Sequence, residues 1–93
     1  MKKNKIKWIE FYTQAPADAV YIVRLMDDFT VRFEKYNGLH SSIVLKDFPY
    51  ESLSEEKCME TLAECRRIIG SEGDTIWAEM PSWKYFELHP DIW

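Results

Sequence analysis

The chain has 93 residues, 46% hydrophobic, 15% aromatic and 30% charged, with a formal net charge of −4. That length sets one domain, residues 1–93, and a domain so small buries a modest share of its surface, so its core must be dense. The aromatic and β-branched content argues against a disordered chain, and no apolar run approaches the length of a membrane span.

The N-terminus reads MKKNKIKWIEFY, with Lys2, Lys3, Lys5 and Lys7 ahead of an acidic remainder. It has the positive flank of a signal peptide but no apolar segment behind it. A frayed, solubilising start over residues 1–5 is the simpler reading; a basic arm that touches phosphates is the other. Residues 6–12 then alternate as a strand, with Ile6, Trp8 and Glu10 on one side and Lys7, Ile9 and Phe11 on the other. TQAPAD breaks it. Residues 19–26, AVYIVRLM, are rich in β-branched side chains and predict a strand, since a helix there would have no polar face. Residues 29–36, FTVRFEKY, alternate cleanly, with Phe29, Val31 and Phe33 on one face and Thr30, Arg32 and Glu34 on the other.

Asn37-Gly38 is the chain's strongest hairpin signal, because both residues tolerate the positive φ of a type I′ turn. A two-residue turn there sets Tyr36 opposite Leu39, Phe33 opposite Ser42 and Val31 opposite Val44. The return strand spans residues 39–46. In the resulting meander one face carries Val20, Ile22, Met26, Phe29, Val31, Phe33 and Val44. The other mixes Tyr21, Val23 and Leu25 with Thr30, Arg32, Glu34, Ile43 and Leu45. Arg24 then falls on the apolar, helix-facing side, where a charge needs a partner or a route to water.

DFPYES reads as a loop. A helix follows over residues 53–69, capped by Ser52 or Ser54 and closed by Gly70. Cys58, Met59, Leu62, Cys65 and Ile69 form its apolar stripe; Glu56, Glu60, Glu64 and Arg67 look outward. Residues 75–80 resume as a strand. Residues 83–89 read either as a last strand, slightly preferred, or as one or two helical turns capped by Ser82. The expected architecture is α+β: an antiparallel sheet of five or six strands, with a meander over residues 19–46, and one amphipathic helix across one face.

Few residues point at a chemistry. Cys58 and Cys65 on one helix stand about 10 Å apart along its axis, too far for a disulfide. Unpaired thiols fit a reducing compartment, so a cytoplasmic protein is expected. With His40 and His89 they do not make the close-spaced pairs of a zinc site. Either histidine could act as a base, but neither has a nucleophile at motif spacing, and three glycines leave little for a phosphate loop. No enzyme, cofactor or metal is expected.

Two surfaces remain. Glu56, Glu60 and Glu64 recur every four residues and repel one another at a cost of a few tenths of a kcal/mol each. Such a row suits the steering of a basic partner. The tail holds Trp77, Trp83 and Trp93 with Tyr85 and Phe86. Trp77 is expected in the core, and Trp83, Tyr85 and Trp93 are the anchors nearest a surface. The leading expectation is a small acidic protein-interaction module (an inhibitor, immunity-type or adaptor protein). It would dock on another protein, basic or nucleic-acid-processing, through Glu56, Glu60, Glu64, Trp83, Tyr85 and Trp93. A homodimer through a sheet edge is compatible with this. The alternative is a single-stranded nucleic-acid binder using Lys3, Lys5, Lys7, Arg32 and Tyr36. A small ligand-binding domain or enzyme subunit comes third.

Overall fold

A computed structural model of the protein describes residues 5–13, 20–36 and 41–91. The strands are β1 (Lys5–Thr13), β2 (Val20–Met26), β3 (Thr30–Tyr36), β4 (Ser42–Pro49) and β5 (Ile76–Pro81). A 3-10 turn at Tyr50–Leu53 leads into helix α1 (Glu55–Ser71), and helix α2 (Trp83–Leu88) follows β5. The strands form one antiparallel sheet in the order β4-β3-β2-β1-β5. Strands β1 to β4 thus make a meander, and the chain leaves one edge at β4 and returns at the other as β5. Helix α1 is that crossover. The fold is α+β, as the sequence pattern requires.

One sheet face takes α1. Ile9 and Phe11 of β1 stand opposite Val23 and Tyr21 of β2. Val23 and Leu25 stand opposite Phe33 and Val31 of β3, and Val31 opposite Phe48 of β4. Onto this row α1 lays Cys58, Leu62, Cys65 and Ile69, each no more than 1% exposed. Phe33 meets Tyr21 in a stack at 5.8 Å and Phe11 edge-on at 6.3 Å. Each fully buried side chain of this size contributes about 1.5–3 kcal/mol of transfer free energy. Burial raises the thiol of Cys58 and pushes that of Cys65 up to about 12, so both stay protonated packing groups.

Helix α1 begins where Ser54 accepts a hydrogen bond from the Lys57 amide at 3.3 Å. It ends one turn later than Gly70 suggests. Gly73 takes φ of 89°, its amide reaches the Gly70 carbonyl at 3.0 Å, and the Asp74 amide reaches Ile69 at 3.2 Å. That is a Schellman closure, and it needs the conformation glycine supplies. Ion pairs brace the helix on both flanks. Lys46 of β4 holds Glu64 at 3.1 Å, and Arg66 grips Glu79 of β5 through two bonds of 2.6 and 2.9 Å.

Several expectations are corrected. Strand β2 is phased the other way: Tyr21, Val23 and Leu25 lie beneath α1, while Ile22 and Met26 share the open face with Arg24. AVYIVRLM is apolar at almost every position, so alternation does not define its phase, and a one-residue slip turns every side chain over. The hairpin register also differs. Tyr36 pairs with Ser42, Phe33 with Lys46 and Val31 with Phe48, with a bulge that leaves Leu45 unpaired. The return strand is therefore β4 over Ser42–Pro49; residues 37–40, including Asn37-Gly38, lie outside the described residues. Phe29 sits in the turn before β3 rather than on its core face. Trp77, expected in the core, is exposed, because a bulge leaves it unpaired between Ile76 and Ala78. Met59 leaves the buried stripe. Residues 83–88 are helical, not a strand, since Pro81 and Ser82 end the ladder and Ser82 occupies the N-cap position.

Leu62 lies at the centre of the helix–sheet contact, so Leu62→Ala should lower unfolding free energy by about 2–5 kcal/mol. Equilibrium urea denaturation with an unchanged m-value checks this. A loss below about 1 kcal/mol would show that the helix does not close on this row.

Candidate functional site

The passage from β5 into α2 builds an aromatic display near the C-terminal end of the described residues. Ser82 is bound to β1 twice: its amide donates to the Trp8 carbonyl at 2.8 Å and its hydroxyl to the Lys7 carbonyl at 2.6 Å. From that anchor α2 turns Tyr85 inward, fully buried, against Trp8 at 5.1 Å between ring centres. Spacing on a helix then sends Trp83 and Phe86 outward. Trp83 is 67% exposed and Phe86 45%, and Trp77 and Met80 of β5 are exposed as well. The Lys84 ammonium lies 5.6 Å from the Trp83 ring. Tyr85, expected as a contact residue, is a core residue instead. Trp93 lies outside the described residues.

The glutamate row on α1 divides. Glu56 and Glu60 are exposed, with no hydrogen bond or ion pair among the described residues. Glu64 is committed internally, to Lys46 and to Arg67 at 2.7 Å. Hydrogen bonds from Arg67 and Lys46 hold its carboxyl down at about 2. An open groove of about 470 Å³ runs between β4 and α1, lined by Lys46, Phe48, Glu51, Lys57, Glu60 and Glu64. Charged groups of both signs dominate its walls, unlike the apolar enclosure of a small-molecule site.

The open sheet face carries Lys7, Arg24 and Arg32, and each is already paired. Lys7 meets Glu10 at 3.0 Å, Arg24 meets Glu34 at 3.0 Å, and Arg32 meets Asp47 at 2.9 Å. Arg24 also donates to the Tyr36 hydroxyl at 2.7 Å. Arg24 therefore lies opposite to its expected side, and its partner is found. Tyr36 and Arg32, the expected base-stacking platform, are tied into this ladder, in which Lys7, Arg24 and Arg32 each have an acidic partner. The register places Lys5 on β1 opposite Met26, and Lys3 lies outside the described residues.

Sequence periodicity missed Phe29. It takes φ of 65°, a left-handed conformation costly for a bulky side chain, and is 73% exposed. Its ring meets the exposed Tyr50 edge-on at 5.5 Å. Asp27-Asp28 before it was the one available signal, as a turn whose last residue takes positive φ. Among the described residues no cluster of three metal-ligating side chains occurs, and no helix is long and apolar enough to cross a membrane. His40 is outside the described residues. Comparison with known proteins yields no match to a family model, a curated protein or a solved structure. The class rests on geometry alone: a five-stranded α+β sheet with one crossover helix and a helical C-terminal segment that displays aromatic side chains.

Phe29→Asn should leave stability unchanged or raise it by up to about 1 kcal/mol, because asparagine tolerates this conformation and tryptophan-scale core contacts are not lost. Thermal unfolding measures this. A drop of several degrees would mark Phe29 as a structural residue rather than a displayed one.

Proposed function

We propose that this protein is a non-enzymatic docking module that binds another protein bearing a basic surface. The observation that carries the reading is Trp83. It stands mostly in water on a helix whose opposite side, Tyr85, is wholly buried. Its backbone is thus fixed before a partner arrives, so little ordering entropy opposes contact. Trp is also the residue type that most often dominates binding energy. Phe86 stands on the same short helix.

Glu56 and Glu60 supply the second element. Free carboxylates on an exposed helix face attract a basic partner and raise its association rate, with an effect that fades beyond about 8 Å at physiological salt. Glu64 drops out of this role, since Lys46 and Arg67 neutralise it. The nucleic-acid reading gains no support from the paired cations of the open face. A cytoplasmic setting fits the reading without being needed by it.

The test immobilises the protein and captures partners from lysate of its own source cells, then repeats the capture with Trp83→Ala/Phe86→Ala. The double variant should bind the captured protein at least about 30-fold more weakly. Glu56→Gln/Glu60→Gln should slow association several-fold at low salt and little at high salt. Equal binding by the aromatic double variant overturns the proposal. Salt-dependent binding of single-stranded oligonucleotide, with no protein captured, would replace it.

A further inference from the structure

Behind the displayed face of α2 lies a histidine in an unusual place. His89 is 1% exposed, and neither ring nitrogen has a hydrogen-bond partner among the described residues. Its ring packs on Trp8 at 5.5 Å and on Tyr85 at 5.1 Å. The Trp8 indole nitrogen is likewise buried without a partner among the described residues. Buried polar atoms are nearly always bonded, so three unbonded nitrogens in one aromatic cluster make the seat of α2 a costly one. Neutral, His89 fills the seat as an aromatic disc. Protonated, it would carry a charge and two N–H donors into a site where the described residues bond neither nitrogen.

We propose that α2 is an acid-released latch: protonation of His89 undocks residues 83–91 from Trp8 while the sheet and α1 stay folded. The geometry separates the two parts. Helix α2 has six residues, too few to persist without docking. Its first residues are held to β1 by Ser82, which bonds to backbone carbonyls and carries no titrating group. The hinge therefore survives acid, and the packed side does not.

The charges around His89 set the direction. From α1, Glu55 is the carboxylate that acts on it, and it favours the protonated form. Tyr85 presents a ring, and behind it lies the Cys58 thiol, 3.9 Å from the Tyr85 hydroxyl. On β1, Lys7 and Glu10 satisfy each other on the far face. On α2, Lys84 and Glu87 pair in solvent, and Asp91 is exposed. Burial outweighs Glu55, so the docked ring titrates below its ordinary range. A group depressed in the docked state supports docking above its free value, near 6.5, and withdraws that support as pH falls through the docked value.

Amide hydrogen exchange, corrected for intrinsic rate, tests this at pH 7.5 to 4.5. Opening of the Phe86 and His89 amides should rise by up to about tenfold per pH unit below about 6.5. The Val23 and Phe33 amides should keep their protection. His89→Phe, neutral and of similar shape, should remove the pH dependence; His89→Gln carries the same expectation if the phenylalanine variant fails to fold. Glu55→Gln should increase opening at pH 5, because a compensating charge is gone. The proposal fails if wild-type α2 keeps its protection at pH 5, if the neutral variants open with acid as the wild type does, or if the sheet opens at the same pH. It stands apart from the docking reading, since no partner enters the experiment.

Discussion

Lys7 pairs with Arg24 and Ile9 pairs with Val23, and Trp8 between them has no partner across β2. In a regular strand Trp8 and Ile9 would point to opposite faces. The bulge sends both inward, and both are fully buried. A large indole then stands at the margin of the area α1 covers, and something must close over it. Tyr85 and His89 do so, and the Trp8 carbonyl, turned out by the bulge, receives the Ser82 amide. One extra residue in β1 thus fixes both the position of α2 and its rotation. Trp83 and Phe86 are exposed because Tyr85 is needed underneath. The displayed surface is a consequence of core packing, which gives it a rigid mount.

The charge pattern follows from the same layering. Thirty percent of the residues are charged, yet on both faces of the sheet Lys7, Arg24, Arg32, Lys35 and Lys46 are taken up by specific carboxylates. Arg66 and Lys46 hold α1 to the two edge strands through Glu79 and Glu64. At the far end Tyr21 donates to Asp74, and Lys35 reaches Glu72 at 3.3 Å. Lys35 thereby offsets an acidic residue placed at the negative end of the helix dipole. Most of these pairs are partly exposed, so each contributes little to stability. Their effect is to set the helix azimuth, and the leftover charges are then informative. Glu56 and Glu60 are acidic residues that the fold does not use.

The sequence disclosed elements better than their phases. Alternation in FTVRFEKY and the helical stripe Cys58, Leu62, Cys65 and Ile69 located β3 and α1 because each has one polar face. Strand β2 is apolar on both faces, since Ile22 and Met26 are buried on the side away from α1, so its pattern carried no orientation. Arg24 was the only marker, and its partners Glu34 and Tyr36 lie ten or more residues away, beyond the reach of local reasoning. The bulges at Trp8, Leu45 and Trp77 each shifted a register without any glycine to announce it. An aromatic side chain in mid-strand points to the core at position 77; a bulge reverses that. On the candidate surface, the outward placement of Glu56 and Glu60 was legible from helical spacing, and Trp83 is exposed as its place in the aromatic tail suggested. Phe29 was not, because positive φ is not expected of phenylalanine.

The bulges also bear on how this surface can be used. The sheet is open at β4 and β5, and an open edge invites another strand. Both edges are interrupted: β4 by unpaired Leu45 and a terminal Pro49, β5 by unpaired Trp77 and a terminal Pro81. Proline removes a donor, and a bulge breaks the even spacing that a visiting strand would need. Pairing through backbone, which is weakly selective, is thus disfavoured at both ends. What the edges offer instead is side chains, Trp77 at the β5 bulge and Trp83 just beyond its terminal proline. Contact made through those must fit a shape rather than extend a ladder. The devices that guard the sheet against indiscriminate strand pairing are the ones that leave Trp77 and Trp83 exposed.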